Sequence, residues 1–193
     1  MCLRPEAYPS LGAFPFNFTA SDNAAMQPKP PASPSLSPRW KPNVTAAAII
    51  ERDGRFLLVE EETSDGLRLN NPAGHLDPGE SPLAACAREA LEETTHRFTP
   101  QALVGVYLSR QRKTAAGEDI TWLRFAFSGE LGEAVPGRSL DSGIVRTVWL
   151  TPEEIRTSQA RHRSPLVLRC IEDYLAGRRF PLDLVQTHAS VLD

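Results

Sequence analysis

The part of the sequence that most constrains the fold is residues 72–97, PAGHLDPGESPLAACAREALEETTHR. A loop rich in proline and glycine leads into a segment with helical periodicity, predicted from about Pro82 to Thr95, and proline suits the first turn of a helix. Apolar residues cluster on one side of this helix, and three glutamates lie within about 100° of one another on the other: Glu89, Glu92 and Glu93. The pattern predicts a helix with a buried face and an acidic face.

The acidic face needs an explanation, because like charges three or four residues apart on a helix repel by about 0.2–0.5 kcal/mol per pair. One interpretation is a solvated face, helped by Arg88 and Arg97 one turn from the glutamates. The other is a bound cation, because the preceding loop adds the backbone carbonyl of Gly74 and the carboxylate of Glu80. Clustered oxygen ligands suit Mg²⁺ or Mn²⁺, which commonly binds through carboxylates and substrate phosphates. Spacing alone leaves both interpretations open.

Most of the remaining chain is predicted to form strands. The runs NVTAAAIIE and RFLLVEE flank Asp53-Gly54, a strong hairpin signal, and predict a first antiparallel pair. Further strands are predicted at about 102–110, 121–130 and 144–150, and helices at 152–158 and about 164–176. Many strands with few helices predict an α+β fold in which helices sandwich a mixed sheet.

The composition describes an ordinary soluble protein of one domain, with 193 residues, 41% apolar content, 23% charged residues and a formal net charge of −3. It gives no electrostatic argument for binding nucleic acid or an acidic membrane. The cysteines, Cys2, Cys86 and Cys170, are scattered without metal-ligand spacing, which favours the cytoplasm over a disulfide or zinc framework. No apolar run reaches the ~18 residues that span a bilayer, so neither export nor anchoring is predicted.

The first forty residues differ in character from the rest. Nine of the seventeen prolines lie within residues 1–42, beside the run PKPPASPSLSPRWKP, and no helical or strand periodicity is visible there. Residues 1–40 are therefore predicted to be a disordered extension, and residues 41–193 the folded domain. Met26 is one of two methionines, and translation that begins there is a further hypothesis.

The loop and the acidic helix also carry a fixed spacing of charged residues. Gly74 is followed after five residues by Glu80, and after seven more by the run REALEE, which ends at Glu93. This spacing resembles the Nudix box, the signature motif of Nudix hydrolases, at all of its charged and glycine positions through Glu93. The end departs from the motif, with Thr95 in place of a glycine and His96 in place of an aliphatic residue. Because the glycine normally allows a left-handed helix end, Thr95 predicts a different helix stop and a longer or frayed last turn.

The resemblance implies the Nudix fold, an α/β/α sandwich with a central mixed β-sheet. It also implies Mg²⁺ as the cofactor, with Mn²⁺ as an alternative. The implied metal ligands are the carbonyl of Gly74 and the carboxylates of Glu89, Glu92 and Glu93.

The catalytic roles are likewise implied by the resemblance. Glu89 is the first candidate to accept the proton of the attacking water. Glu80 and Arg88 are expected to form a charge-assisted pair that holds the loop against the helix, and Glu80 is the second candidate base.

Candidate site residues also lie outside the box. Asp141, in SLDSGI before a strand, is either a further metal ligand or a turn or capping aspartate. Arg124 alternates with apolar neighbours on a strand and either reaches substrate phosphate or is a structural arginine at a strand edge. Asn71, in the run NNPAGHL, is a further candidate for substrate binding. The basic run RHRS is interpreted as surface charge, with an anion site as the alternative.

Longer stretches of the chain, NNPAGHLDPGES, TWLRFAF, RSPLV and GRRFPLDL, are similar to a bacterial phosphatase group of the Nudix family over about residues 41–185. That similarity implies hydrolysis of hydroxymethylpyrimidine diphosphate, thiamine diphosphate and nucleoside di- and triphosphates, with release of orthophosphate. It implies a small-molecule substrate, no nucleic-acid or membrane partner, and a monomer or homodimer. The alternatives are a nucleoside triphosphate pyrophosphohydrolase and a catalytically silent ligand-binding module of the same fold.

Overall fold

The computed structural model of the protein describes residues 39–113 and 117–192. Its strands are β1 (Asn43–Ile49), β2 (Glu51–Arg52), β3 (Arg55–Thr63), β4 (Gly66–Asn70), β5 (Ala73–His75), β6 (His96–Lys113), β7 (Glu118–Ala134) and β8 (Ile144–Leu150). Its helices are α1 (Pro82–Thr94), α2 (Pro152–Thr157) and α3 (Leu166–Leu175), with 3₁₀ turns at Gln159–Arg161, Leu182–Leu184 and Ala189–Val191. The predicted extension over residues 1–40, except its last two residues, and the alternative start at Met26 lie outside the described residues and stay predictions.

The central sheet has the strand order β5-β1-β7-β6. Strand β1 pairs antiparallel with β5 and parallel with β7, and β7 pairs antiparallel with β6. A second sheet is built around β3, which pairs antiparallel with β2, β4 and β8. The parallel pairing of β1 with β7 makes the central sheet mixed, as predicted. Within the described residues, no helix is long and apolar enough to span a membrane.

Two separate cores lie on the two faces of the strands, because successive side chains of a strand point in opposite directions. One core joins the strands to α1, and its buried members include Ala46, Ala48, Leu57, Ala85, Cys86, Ala90, Leu103 and Phe127. The other joins them to α2 and α3, and its buried members include Ile49, Phe56, Leu58, Val104, Ala126, Ile155, Val167 and Ile171. Helices therefore cover both faces, and the predicted α+β fold with a mixed sheet between helices is confirmed.

The Asp53-Gly54 hairpin forms, but the strand pair it joins is much shorter than predicted. Both turn residues have positive φ, 52° and 73°, as a two-residue hairpin turn of this kind requires. Across the turn Glu51 and Arg52 pair with β3, and one further hydrogen bond of 3.0 Å joins the Leu57 N–H to the Ile50 carbonyl. The residues of β1 from 46 to 49 are buried, and β1 runs between β5 and β7 instead. The predicted turn and antiparallel pairing are present, but most of the run NVTAAAIIE pairs elsewhere, because a turn signal specifies the turn and not how far the pairing extends.

Strands β6 and β7 extend well beyond their predicted ranges of 102–110 and 121–130. They pair with each other along most of their length, with register irregularities between His96 and Phe98, Pro100 and Ala102, and Leu103 and Gly105. Their outer ends carry polar and charged residues, so no apolar alternation marks them in the sequence. The shorter β8, whose sequence is mostly apolar, was predicted with its observed bounds.

Helix α1 begins and ends with regular caps. The Ser81 hydroxyl accepts a hydrogen bond from the Ala84 N–H, and Pro82 occupies the first turn. At the other end Thr95 adopts the left-handed conformation, with φ 63° and ψ 1°, and its N–H donates to the Leu91 carbonyl. The expected longer or frayed last turn was therefore wrong. The helix ends as it would with glycine, although a β-branched residue in this conformation is strained.

Thr95→Gly is expected to raise the free energy of unfolding by about 1 kcal/mol, because relief of the left-handed strain exceeds the entropy that glycine adds to the unfolded chain. Urea denaturation of the purified protein measures this change. Thr95→Ala is the control, because it removes the branch and the hydroxyl but keeps a Cβ. It should raise the free energy of unfolding by less than Thr95→Gly does. A glycine variant less stable than the wild type would show that Thr95 is held by contacts worth more than the strain.

Candidate active site

A cleft of about 420 Å³ lies beside β5 and α1 and reaches across the central sheet. Its volume falls in the range of small-molecule sites. Five of the residues predicted from the sequence line it: Gly74, Glu89, Arg124, Glu93 and Asp141. Its other polar and aromatic lining residues include Thr45, Glu61, Asn70, His75, Asp77, Trp122 and Arg163. The structure thus brings together residues from β1, β3, β4, β5, β7, α1 and three loops.

Gly74 and Glu89 are in direct contact across the cleft wall. A Cβ atom built on Gly74 would overlap the carboxyl carbon and both carboxyl oxygens of Glu89. Gly74 lies on β5 opposite Ala46 of β1, so its backbone is held in place by the sheet. Glycine is required here for close approach, because any side chain would displace the Glu89 carboxylate.

Glu93 is the most strongly perturbed acid of the cleft. The residue is 8% exposed, and its carboxylate accepts a hydrogen bond of 2.8 Å from the Ala73 N–H. Burial above all, together with the charges of Glu89, Glu61 and Asp141, raises the pKa of Glu93 to about 8 against the opposing Ala73 hydrogen bond. Several carboxylates therefore lie at one end of the cleft, and their charges make the ionisation of Glu93 less favourable.

The Arg88 guanidinium links the loop to the acidic face of α1. Its Nε and Nη2 donate to the two carboxyl oxygens of Glu80 at 3.1 and 2.7 Å, so the predicted charge-assisted pair is present. Its Nη1 donates to Glu89 at 2.7 Å and to Glu92 at 2.9 Å, and Nη2 also donates to the His75 carbonyl. This pairing with Arg88 holds the pKa of Glu80 below its usual range. For Glu89 burial dominates and raises the pKa, while Arg88 opposes the rise.

Four of the predicted site residues do not line the cleft: Glu80, Arg88, Glu92 and Asn71. Glu92 is paired with Arg88 and lies 4.0 Å from Arg138, on the outer part of the acidic face. Asn71 is 1% exposed and lies behind the wall, whereas its neighbour Asn70 reaches the cleft. Of these two neighbours, Asn70 and not Asn71 is therefore positioned on the cleft wall.

Asp141 lies in a turn and also lines the cleft. Its N–H donates to the Glu92 carbonyl at 2.9 Å, and its own carbonyl accepts a hydrogen bond from the Ile144 N–H. The backbone contacts explain a structural role, and the position on the cleft wall allows a second role for the carboxylate. Both interpretations of this aspartate stay compatible with the fold.

Arg124 lies on β7, which runs between β1 and β6 in the interior of the sheet. The interpretation as a structural arginine at a strand edge was therefore wrong. The residue is 7% exposed, and its Nε and Nη1 have no hydrogen-bond partner among the described residues. Burial lowers the pKa of Arg124, and the neighbouring Cys170, Glu61 and Glu93 oppose this. A buried guanidinium with unused donors on a cleft wall indicates a group that binds something in the cleft.

Several cleft residues were not singled out from the sequence. Glu61 follows the apolar part of β3, and burial raises its pKa while Arg163, Asn70 and Arg124 oppose the rise. Arg163, whose Nε lies 3.6 Å from Glu61, comes from the RHRS run. Arg161 of the same run binds Glu60, which is itself buried. Both arginines are exposed, so they remain surface charges as predicted, although each also faces an acid of β3. The available signal was the pair of acids, Glu60 and Glu61, at the end of a buried strand.

The chemistry of the cleft suits a hard divalent cation. Among the described residues, no three histidine, cysteine, aspartate or glutamate side chains converge to hold a metal ion as they stand, and Glu89 is turned toward Arg88. The side chains at the acidic end of the cleft nevertheless offer oxygen donors, which Mg²⁺ and Mn²⁺ prefer. Burial raises the pKa of Glu93 most, and the neighbouring carboxylates add a repulsion that a bound cation would relieve. These residues fit such an ion.

Comparison with known proteins agrees with this arrangement. Residues 40–170 match the model of the NUDIX domain. The chain belongs to the Nudix family. This Nudix protein is 37% identical over 146 residues to Phosphatase NudJ of Escherichia coli K12, an alignment that covers 76% of the chain and 92% of the relative. The predicted family and its bacterial phosphatase group are confirmed.

Solved structures place the Nudix chain among hydrolases. A NUDIX hydrolase from Nitrosomonas europaea has 53% sequence identity and a TM-score of 0.70, and the match covers 77% of this chain and 98% of that one. A MutT NUDIX hydrolase from Burkholderia pseudomallei has 20% identity and a TM-score of 0.56 over 69% of this chain and 98% of that one, and it supports the fold alone. The chain is a Nudix hydrolase, an enzyme of the class that acts on phosphoric anhydrides.

Proposed function

We propose that this Nudix hydrolase is an Mg²⁺-dependent phosphatase that cleaves the diphosphate linkage of small metabolites and releases orthophosphate, with Mn²⁺ as an alternative cofactor. The proposed substrates are hydroxymethylpyrimidine diphosphate, thiamine diphosphate and nucleoside di- and triphosphates. The observation that carries the proposal is that Gly74, Glu89, Glu93 and Asp141 line one cleft of small-molecule size, with Glu89 against Gly74 and the charges of Glu89 and Asp141 acting on Glu93. Similarity to Phosphatase NudJ supports the phosphatase activity.

The proposed metal ligands are Glu89, Glu93, Asp141, the carbonyl of Gly74 and, from the same helix face, Glu92. When bound, a divalent cation neutralises diphosphate charge and lowers the pKa of a water molecule. Glu93 is held in position by its hydrogen bond from the Ala73 N–H, which leaves its other carboxyl oxygen available toward the cleft. The fixed position of this carboxylate reduces the reorganisation that binding requires.

Glu89 is the proposed base, and its carboxylate accepts the proton of the attacking water. Its position on the cleft wall and its burial support this role, because burial raises the basicity of a carboxylate. Glu80 is a weaker candidate, since both of its oxygens accept from Arg88 and one also accepts from the Asp77 N–H at 2.7 Å. Arg88 is proposed to hold Glu80 and Glu89 in a fixed relation to each other.

The experiment that tests this function is a panel assay on the purified protein with orthophosphate and pyrophosphate measured separately. We expect orthophosphate from the thiamine-pathway diphosphates and from nucleoside diphosphates, loss of activity with a chelator, and recovery with added Mg²⁺. Release of pyrophosphate from nucleoside triphosphates as the main product would favour the pyrophosphohydrolase alternative. Binding without any release at all Mg²⁺ and Mn²⁺ levels would favour the silent ligand-binding module. The cytoplasmic location and the monomeric or homodimeric state stay predictions.

A further inference from the structure

Four polar residues form an unsatisfied floor in the cleft, which we call the polar floor: Thr45, Glu61, Asn70 and Arg124. Each has at least one buried side-chain atom with no hydrogen-bond partner among the described residues, namely Thr45 Oγ1, Glu61 Oε1, Asn70 Oδ1, and Nε and Nη1 of Arg124. All four line the cleft. Buried polar atoms are nearly always paired in folded proteins, so a group of unpaired ones on one wall indicates a ligand that pairs with them.

The members of the polar floor are close neighbours. Thr45 of β1 is the direct strand partner of Arg124 of β7, so the two side chains share one face of the central sheet. Asn70 and Arg124 both lower the pKa of Glu61, against the larger effect of burial, so both lie near its carboxyl group. Arg163 lies 3.6 Å from Glu61 Oε1 and partly balances its charge without a hydrogen bond. A single ligand group of modest size can therefore contact all four.

The polar floor does not suit a phosphate group. Phosphate oxygens only accept hydrogen bonds, so a phosphate would satisfy Arg124 and leave the oxygens of Glu61 and Asn70 unpaired. The Glu61 carboxylate would also repel it, because the two like charges would meet in a buried region where solvent screening is weak. The unpaired atoms instead comprise two donors on Arg124 and acceptors on Glu61 and Asn70, which require both an acceptor and a donor from the ligand.

We propose that the polar floor binds the edge of a nitrogen heterocycle that carries an amino group beside a ring acceptor. The two hydrogens of the amino group pair with Glu61 and Asn70, and the adjacent ring nitrogen or carbonyl accepts from Arg124. The inference rests on the proposed function for the position of the phosphates, which lie at the acidic end of the cleft, and it deepens that function by naming the chemistry of the leaving part of the substrate.

An aromatic surface borders the polar floor. The rings of His75 and Trp122 are 5.4 Å apart between centroids, inclined by 52°, and both residues line the cleft. His75 pairs with Thr45 across β5 and β1, so the ring lies in the same row of the sheet as Arg124. A planar heterocycle gains stacking energy on such a surface, which an aliphatic or sugar group would not.

The test compares pairs of nucleoside monophosphates that differ in this edge alone. Cytidine and adenosine monophosphates present an amino group beside an acceptor nitrogen, whereas uridine and inosine monophosphates reverse both polarities. Isothermal titration of the full chain measures the Kd of each nucleotide. In at least one pair the amino nucleotide should bind about tenfold or more tightly than the oxo nucleotide, and in neither pair should the oxo nucleotide bind more tightly. Equal affinity within both pairs, or no binding of any of the four at millimolar concentration, overturns the proposal.

Variants connect the preference to the polar floor. Glu61→Gln should reduce the amino-over-oxo ratio to about threefold or less, because an amide donates as well as accepts. Glu62→Gln is the matched control, because it removes the same charge at the next position of β3. Glu62 is exposed and does not line the cleft, so this variant should leave the ratio unchanged. A ratio that Glu61→Gln leaves unchanged overturns the assignment.

Arg124→Met separates heterocycle binding from phosphate binding. The variant should bind both nucleotides of a pair more weakly, while its affinity for inorganic pyrophosphate changes by less than about twofold. An equal loss of affinity for pyrophosphate would make Arg124 a phosphate ligand and overturn the proposal. Because these measurements are of binding alone, amino-selective binding without hydrolysis would count against the proposed function only, and hydrolysis without amino selectivity would count against this inference only.

Discussion

Glu89→Gln is expected to retain less than about one hundredth of the wild-type kcat, since the substitution removes the proposed proton acceptor and one charged metal ligand while it keeps the size of the side chain. Glu93→Gln should lose activity to a similar extent, because its carboxylate is fixed in the cleft by Ala73. The measurement is orthophosphate release at saturating substrate and Mg²⁺.

The control for both variants is Glu153→Gln, an exposed glutamate on α2 that does not line the cleft. It should keep full activity. Thermal unfolding of all three variants shows whether a loss of activity is a loss of fold, and glutamine preserves the ability of position 93 to accept the hydrogen bond from Ala73. Full activity in both cleft variants would show that these carboxylates are not part of the catalytic site.

Gly74→Ala is expected to reduce kcat by about a hundredfold without unfolding the protein. The added Cβ overlaps the carboxylate of Glu89, and this carboxylate, as the end of a flexible side chain, is what must move. The backbone of Gly74 is held against β1 and cannot retreat. The melting temperature should therefore change little while the proposed base, Glu89, is displaced from its position.

Gly132→Ala is the matched control, because a Cβ there would make ordinary contacts of 3.5 and 3.6 Å with Arg97. It should keep its activity. A double variant, Gly74→Ala with Glu89→Gln, tests the mechanism directly, since both changes act through one carboxylate and their effects should be far from additive. If Gly74→Ala keeps the wild-type kcat, the position of Glu89 over Gly74 is not the position used in catalysis.

Local features of the fold were predictable because their causes are local. The cap at Ser81 and Pro82, the Asp53-Gly54 turn and the apolar face of α1 each depend on residues within a few positions of one another. The bounds of α1 and β8 follow from such signals. The long ends of β6 and β7 could not be predicted from local signals, because they are stabilised by pairing with each other and carry no apolar pattern of their own.

The candidate site likewise has one part that could be predicted from local sequence and one part that could not. The spacing of Gly74, Glu80 and the REALEE run is a property of the chain, and the Glu80–Arg88 pair follows from it. Arg124 and Glu61 lie on separate strands, and no spacing in the sequence connects them. Thr95 shows a further limit, because the energy of packing elsewhere sustained a helix end that local preference disfavours.

The sequence by itself determined the family, the acidic helix and the proposed metal ligands of the box, because a motif on one loop and one helix needs no distant partner to be recognised. Only the tertiary structure decided that β1 lies between β5 and β7, that Arg124 is buried with unused donors, and that Asn70 rather than Asn71 reaches the cleft. The physical reason is that the order of strands in a sheet is set by the burial of both its faces. That order brings Thr45 and Arg124 to one wall, although 79 positions separate them in the chain.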